Sequence, residues 1–199
     1  MKHKRTKKKS RKPDHTVQRS QSHSDWLWPL VVLIILALAA GLWWAHKRKQ
    51  GEMASVVDKV RIETNKGTIV LGVYSDNVPL TAKNFVDLVS SGFYDGLIWH
   101  RVEDWVVQTG DPEGTGRGGS DKTIKLEVDP DLKNTRGMVG MARKDDPDSA
   151  TSQFYILKSD APWLDESYAV FAKVMEGMDV VDSLEIGDRM ITVTRETSD

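Results

Sequence analysis

The residues best suited to chemistry in this chain lie close together, within the stretch 99–111. Arg101 supplies a guanidinium that stays charged at neutral pH and carries five N–H donors in a fixed fork. Trp105 and Gln108 follow four and seven positions later and add a large aromatic surface and an amide. Burying an arginine costs several kcal/mol, roughly, unless its donors are used. The combination therefore predicts a cation inside an aromatic cup that is built to hold a ligand.

A second group of the same residue types occurs further along the chain. It consists of Gln153, Tyr155, Trp163 and Leu164. One alternative interpretation stays open for both groups. In it, Arg101 pairs with a neighbouring acid such as Glu103 or Asp104, and the aromatic side chains simply fill the core.

Other familiar sites match the sequence less well. The chain has no cysteine, which excludes disulfides, thiolate catalysis and cysteine-based metal sites. The glycines of 114–119 satisfy G-x-G-x-x-G, but the extended-looking stretch 123–128 follows where a dinucleotide site needs a helix, so we expect a loop. The acidic stretch 145–148 lacks calcium-loop spacing and favours a solvated turn. His100 has neither metal-ligating companions nor a G-x-S-x-G elbow, so we expect no metal site and no hydrolase triad.

The elements that must position these residues are short strands and two helices. The β-rich runs 57–63 and 68–74 predict a hairpin. Pro79 and Gly92 are typical of the start and the end of a helix, and 177–184 indicates a second one. Further strands are predicted at 98–102, 105–108, 138–143, 153–157, 170–174 and 190–195. This order predicts a mainly β fold, a closed eight-stranded antiparallel barrel capped by two helices.

An uncharged apolar segment at 26–45 precedes the β-rich part of the chain. As a helix it would extend for about 30 Å, the thickness of the hydrocarbon core of a bilayer. Tryptophans lie at both of its ends, as is typical of membrane interfaces. The segment therefore predicts a transmembrane signal-anchor helix. A cleaved signal peptide, whose apolar region is normally shorter, and a buried core helix are the alternatives.

Charge divides the chain at the same place. Up to Gln50 the formal net charge is +10, and from there on it is −11. The positive-inside rule therefore predicts a cytoplasmic tail at 1–25, a linker at 46–56 and an extracytoplasmic domain at 57–199 in a single-pass protein of the cell membrane. The tail has no aromatic residue for base stacking, which favours lipid contact over nucleic-acid binding.

Ordered landmarks extend through the predicted domain. They are Asn84-Phe85, Trp99-His100-Arg101-Val102, Gln108-Thr109-Gly110-Asp111, Gly116-Arg117-Gly118-Gly119, Gly137-Met138-Val139-Gly140-Met141-Ala142, Ser152-Gln153-Phe154-Tyr155-Ile156, Trp163-Leu164-Asp165 and Val170-Phe171-Ala172-Lys173-Val174. In this order they resemble the cyclophilin-type peptidyl-prolyl isomerases over residues 57–196. The resemblance implies the capped eight-stranded barrel, and an isomerase that acts on X–Pro bonds without a cofactor.

The resemblance also implies roles for individual residues. Arg101 matches the catalytic arginine, and Gln108 and Gln153 match the glutamines that hold substrate and position that arginine. The implied proline pocket and its borders comprise Trp105, Val106, Tyr155, Leu164 and Tyr168, with Ala142 and Arg143 meeting substrate backbone and Trp163 at the rim. We therefore expect Arg101 and Gln108 to be catalytic and the other residues to bind substrate.

The chain departs from the commonest pattern of that family at several of these positions. Tryptophan replaces phenylalanine at 99 and 105, valine replaces methionine at 106, tyrosine replaces phenylalanine at 155 and histidine at 168, and arginine replaces asparagine at 143. The loop between Arg101 and Trp105 is also shorter by one residue.

The implied function is isomerisation of X–Pro bonds in extracytoplasmic proteins, which assists their folding. The expected partners are proline-containing peptides, unfolded or folding proteins, and a cyclosporin-like inhibitor. The alternative is an anchored chaperone or scaffold of the same fold that binds proline segments with little turnover.

Overall fold

The structure is a computed structural model, and it describes residues 29, 32–41, 56 and 58–196. The chain divides into two units, Met1–Gly51 and Glu52–Asp199. The predicted tail 1–25, both ends of the predicted span 26–45 and nearly all of the predicted linker 46–56 lie outside the described residues.

In the first unit, residues 32–41 are helical and their side chains are exposed. Within the described ranges, no helix has both the length and the apolar character that crossing a membrane requires.

The second unit is built on one eight-stranded sheet. Its strands are β1 (Asp58–Thr64), β2 (Gly67–Val73), β3 (Arg101–Val102), β4 (Val106–Thr109), β5 (Met138–Met141), β6 (Phe154–Leu157), β7 (Val170–Glu176) and β8 (Met190–Glu196). The spatial order is β3-β4-β6-β5-β7-β2-β1-β8, and every neighbouring pair is antiparallel. The predicted β1–β2 hairpin is confirmed, with Thr64 paired to Gly67 at its turn.

Two helices pack against this sheet, α1 (Pro79–Ser90) and α2 (Met178–Ser183). The predicted signals at both ends of α1 are confirmed. Pro79 occupies its first turn, where a missing N–H does no harm. Gly92 follows its end with a φ of 71° and donates its N–H to Val89 O at 3.0 Å. Leu80, the second residue of α1, is 55% exposed.

The prediction of a closed barrel is wrong, because the sheet is a curled half-barrel whose edge strands β3 and β8 do not pair. β3 has only two residues, whereas β8 has seven. With two residues, β3 pairs along β4 but offers too few backbone groups for a second ladder along β8. The two edges instead meet beside the start of β8, in one isolated bridge between Ile98 and Arg189 and in backbone hydrogen bonds such as that from Met190 N–H to Leu97 O at 2.9 Å.

An aromatic cluster joins α1 to the sheet. Phe85 on α1 lies 5.3 Å from Phe154 and 4.9 Å from Phe171, measured between ring centroids. Trp99 is fully buried and meets Phe154 edge-on at 6.1 Å. Such pairs each add about 0.5–1.5 kcal/mol beyond the burial of their area. Trp99 therefore belongs to the core, although it begins the stretch that carries the chemistry.

The glycine-rich and acidic loops are both turns stabilised by an internal carboxylate. Asp111 accepts the N–H of Gly116 at 2.7 Å, and a Cβ on Gly118 would lie 2.1 Å from Asp111 Oδ1. Asp146 accepts the N–H of Asp148 at 2.9 Å. The two stretches are therefore a loop and a turn, as the sequence predicted, and backbone amides in each bind an aspartate of the same chain.

Candidate active site

The hairpin β3–β4 presents the arginine that was predicted to be catalytic. Its register pairs Arg101 with Gln108, so the two side chains lie on the same face of the sheet. The guanidinium donates from Nη1 to Gln108 Oε1 at 3.2 Å. The hairpin turn is tight because Glu103 N–H donates to Val106 O at 2.8 Å.

A chain of amides continues from Gln108 into the protein. Gln108 Nε2 donates to Gln153 Oε1 at 2.8 Å, and Gln153 Nε2 donates to Gly118 O at 2.7 Å. Each amide therefore has one orientation that satisfies its neighbours. The backbone carbonyl of Gly118, which ends this series of hydrogen bonds, thus determines that Gln108 turns its side-chain oxygen toward Arg101.

A cavity of about 350 Å³ opens beside these groups. It is lined by Arg101, Trp105, Val106, Gln108, Ala142, Arg143, Tyr155, Leu164 and Tyr168. The two remaining predicted residues lie next to it. Gln153 bonds to Gln108, and Trp163 packs on Trp105 with their ring centroids 5.6 Å apart. The structure therefore brings every predicted site residue together, and their individual roles stay predictions.

Much of the cavity wall belongs to a small apolar cluster that is separate from the main core. Val106 and Tyr155 are 1% and 4% exposed, and they pack with Leu157 and Ala161. Leu164 packs against this cluster from the loop side. Contacts of this kind exclude water and favour an apolar ring as the occupant.

We call the network below this cluster, formed by Tyr155, Asn134 and Asp165, the floor. Tyr155 donates its hydroxyl to Asn134 Oδ1 at 2.7 Å, and Asn134 Nδ2 donates to Asp165 Oδ1 at 3.0 Å. Burial raises the pKa of Tyr155, so the phenol remains a donor. The N–H of Asn134, 2.8 Å from the same oxygen, lowers the pKa of Asp165. The floor thereby links the cavity to the loop that carries Leu164.

Sequence reasoning missed Asn134, Asp165 and the role of Gly140. A Cβ at Gly140 would lie 2.2 Å from Tyr155 Cζ and Oη, so only glycine lets the ring lie against β5. A signal for the floor was available, because a buried tyrosine hydroxyl needs a hydrogen-bond partner. The identity of that partner was not readable from the sequence.

A second cation closes the far side of the cavity. The Arg143 guanidinium lies over the Tyr168 ring with Cζ 4.7 Å from its centroid. Its Nε donates to Ser167 O at 3.0 Å, and its Nη1 donates to Lys144 O at 2.8 Å. These bonds to backbone oxygens hold Arg143 as a wall of the cavity.

We call the group formed by Arg101, Glu103 and Trp105 the mouth. Arg101 does pair with Glu103, as the alternative interpretation held, and Nε lies 2.7 Å from Oε1. The hydrogen bond from Arg101 lowers the pKa of Glu103. The expectation of a buried cation is wrong, because the Arg101 side chain is 41% exposed. Among the described residues nothing accepts a hydrogen bond from Arg101 Nη2. Arg101 can therefore pair with Glu103 and still donate to a ligand.

The arrangement therefore places a charged donor at the entrance of an apolar cavity. A group at the entrance can donate to a polar atom of a ligand whose apolar part lies inside. In the part of the chain that the structure describes, no three His, Asp or Glu side chains come together as metal ligands would.

Comparisons with known proteins agree with this geometry. A family model described as cyclophilin type peptidyl-prolyl cis-trans isomerase/CLD matches residues 59–197. Peptidyl-prolyl cis-trans isomerase-like 1 of Neurospora crassa is 41% identical over 127 residues, which cover 61% of this chain and 77% of the relative. Human peptidyl-prolyl cis-trans isomerase-like 3 is 42% identical over 131 residues, which cover 63% and 81%.

A solved structure shows the same likeness in three dimensions. It is a cyclophilin-type peptidyl-prolyl cis-trans isomerase of Cryptosporidium parvum, crystallised in the presence of the dipeptide Ala-Pro. The TM-score is 0.66 at 30% identity, and the match covers 70% of this chain and 99% of that one. By fold, sequence and the matched family model, this chain belongs to the cyclophilin-type peptidyl-prolyl cis-trans isomerases.

Proposed function

We propose that Arg101 is the catalytic group of this isomerase and that its substrates are X–Pro bonds in proteins folding outside the cytoplasm. One observation carries the assignment of Arg101. Its guanidinium is held by Gln108 at the entrance of an apolar cavity, and Nη2 is left without a protein partner among the described residues.

The reaction needs no bond cleavage. Resonance in the X–Pro peptide bond opposes rotation with a barrier of about 18–20 kcal/mol. A catalyst lowers that barrier by binding the twisted bond more tightly than either planar isomer. In the twisted form the prolyl nitrogen regains a lone pair and becomes a hydrogen-bond acceptor. A charged donor aimed at this nitrogen stabilises the transition state selectively.

The chain's residues divide this task between them. The apolar wall around Val106, Tyr155 and Leu164 holds the proline ring, so that the preceding residue swings. Arg101 donates to the prolyl nitrogen as it pyramidalises. The amide chain through Gln108 limits the positions that the guanidinium adopts, and each tenfold gain in rate needs about 1.4 kcal/mol of such selectivity.

A relative supports a proline-containing ligand. The Cryptosporidium parvum isomerase was crystallised in the presence of Ala-Pro, a dipeptide that ends in proline. We extend this to proline-containing segments of unfolded or folding proteins, and to a cyclosporin-like inhibitor that would occupy the same cavity beside Trp163.

The cellular location rests on the sequence. The uncharged apolar stretch 26–45 supports a membrane anchor, and the basic tail before it supports a cytoplasmic N-terminus. In this arrangement the isomerase domain lies outside the cytoplasm. Protease added to intact cells that express the full chain should then remove the domain, and complete protection would contradict this orientation.

Replacing Arg101 tests the catalytic assignment. In the full chain, R101A should lower kcat/KM on an X–Pro peptide by about 100-fold or more, as expected when a preorganised donor is lost. The control is R117A, because Arg117 is exposed and its side chain has no hydrogen-bond partner among the described residues. Equal activity of R101A and the wild type would remove Arg101 from the mechanism.

The same assay tests the alternative of a proline-binding chaperone with little turnover. That alternative predicts a wild-type chain that binds proline peptides but does not accelerate their isomerisation. Peptide binding measured by calorimetry beside the rate assay separates the two functions.

A further inference from the structure

We propose that Glu103 is a positioning residue for the isomerase reaction, whose carboxylate holds the Arg101 guanidinium and the Trp105 indole together at the mouth. The inference rests on the proposed catalytic role of Arg101. It assigns the third member of the mouth, which neither the family pattern nor the cavity lining includes.

The geometry is a closed triangle of three side chains. Glu103 Oε1 accepts from Arg101 Nε at 2.7 Å, and Oε2 accepts from Trp105 Nε1 at 2.8 Å. The third side is the stacked pair, with Arg101 Cζ 5.3 Å from the centroid of the Trp105 ring. Each carboxylate oxygen therefore serves a different residue that lines the cavity.

Local chain geometry makes this triangle possible. Arg101 begins β3, and Glu103 follows directly after this strand, two positions on, where its side chain meets that of Arg101. The turn that follows is closed by the Glu103 N–H on Val106 O at 2.8 Å. Trp105 is held in turn by its carbonyl, which accepts the N–H of Lys158 at 2.8 Å. The tight turn between Arg101 and Val106 thus brings the indole within reach of the carboxylate.

The effect on Arg101 is to hold two edges of its planar fork. Glu103 takes the Nε–H and Gln108 takes one N–H of Nη1, so that both N–H groups of Nη2 have no acceptor among the described residues and can meet the substrate. Without Glu103 the guanidinium would keep one neutral hydrogen bond of 3.2 Å on a long, flexible side chain. A small displacement of a catalytic donor is enough to lose a large part of its effect.

The effect on Trp105 extends the hold to the rim of the cavity. The indole packs edge-on against Trp163, with ring centroids 5.6 Å apart and an interplanar angle of 66°. Trp163 itself is 64% exposed. By holding Trp105, Glu103 stabilises the aromatic surface against which a substrate packs.

Global stability does not explain this arrangement. The side chains of Arg101 and Glu103 are 41% and 45% exposed, and exposed ion pairs contribute little to folding. If Glu103 acted through its charge alone, removing that charge would strengthen the positive field of Arg101 and raise kcat. A fall in kcat on removal of Glu103 therefore indicates a positioning role, whereas a rise indicates an effect of its charge alone.

Four variants of the full chain test the proposal. E103A removes both hydrogen bonds, whereas E103Q keeps one acceptor oxygen and removes the charge. D104A and D104N are the matched controls, because Asp104 is the next residue, is exposed and makes no side-chain hydrogen bond or ion pair with the described residues. We expect E103A to lower kcat about tenfold, with a smaller rise in KM, and E103Q to fall between E103A and the wild type. Both Asp104 variants should stay within about twofold of the wild type.

A spectroscopic readout confirms that the contact exists in solution. The chain has seven tryptophans, so the nitrogen–proton spectrum of the labelled protein in detergent contains a resolvable set of indole signals. W105F identifies the signal of Trp105 by its loss. That signal should shift in E103A and stay in place in D104A.

The outcomes distinguish the isomerase function from the positioning role of Glu103. An inactive wild-type chain would overturn the proposed function. An active wild type with E103A equal to D104A, or with a higher kcat in E103A, would overturn the positioning role alone. An indole signal unchanged by E103A would also overturn it.

Discussion

The mouth and the floor of the cavity hold their side chains by opposite physical means. The mouth uses a charged carboxylate on an exposed turn, with Glu103 45% exposed. The floor uses neutral and charge-assisted hydrogen bonds around Asn134, which is 1% exposed. Water competes for the bonds of the mouth and has little access to those of Asn134.

This difference separates stability from activity. A buried partner lost from the floor leaves a polar atom without a hydrogen bond, which destabilises the fold directly. A partner lost from the mouth is replaced by water, so the fold keeps its stability while Arg101 gains freedom. The two regions should therefore respond oppositely to substitution, with large losses of stability at the floor and large losses of activity at the mouth.

The largest loss of stability should come from N134A. It leaves the buried Tyr155 hydroxyl without its acceptor and removes a donor from Asp165. We expect the free energy of unfolding to fall by about 2–3 kcal/mol, measured by urea denaturation of the full chain.

The double variant N134A/Y155F provides the control for that loss. Removing both partners abolishes the unpaired hydroxyl, so its loss should be smaller than the sum of the two single losses by about 1 kcal/mol. Additive losses would show that Tyr155 and Asn134 are not coupled, and that the floor is not a network.

The second prediction concerns acid unfolding through Asp165. The N–H of Asn134 lowers the pKa of Asp165 in the folded state, so the unfolded chain binds more protons there as the pH falls. This contribution to stability is present above the ordinary pKa of an aspartate and is lost as the pH falls through the lowered value. In D165N, stability should be lower at pH 7, and the difference in unfolding free energy between pH 7 and pH 3 should shrink. An unchanged difference would contradict a role for Asp165 in the floor.

The smallest change in stability is expected at the mouth. E103A should alter the free energy of unfolding by no more than about 0.5 kcal/mol, because the ion pair is exposed. Its ratio of activity loss to stability loss should thus be far larger than that of N134A. A fall of more than about 1 kcal/mol in the free energy of unfolding would contradict this comparison, because the mouth would then stabilise the fold as the floor does.

Local patterns predicted much of the fold. The β1–β2 hairpin and the ends of α1 were readable because turn residues, Pro79 and Gly92 act through their own backbone dihedrals. The open edge of the barrel was not, since it depends on β3 having only two residues that pair. Strand length is decided by which partner backbone lies alongside.

The site shows the same division. The family pattern identified the residues that line the cavity, because their types and order are carried by short motifs around Arg101, Gln153 and Trp163. It did not identify Asn134, whose hydroxyl partner Tyr155 is 21 positions away. The residue types alone, before any family resemblance, placed Arg101 inside an aromatic cup, whereas the side chain is 41% exposed.

The sequence by itself determined the chemistry available to this protein: a permanent cation, an amide a few positions further on, and apolar residues suited to a proline ring. These follow from side-chain types and from alternation along extended backbone, which are local properties. Only the tertiary structure decided which donors of Arg101 are already used, because Gln153 orients Gln108 from 45 positions away. Among the described residues, the protein's own partners therefore leave both N–H groups of Nη2 available for the substrate.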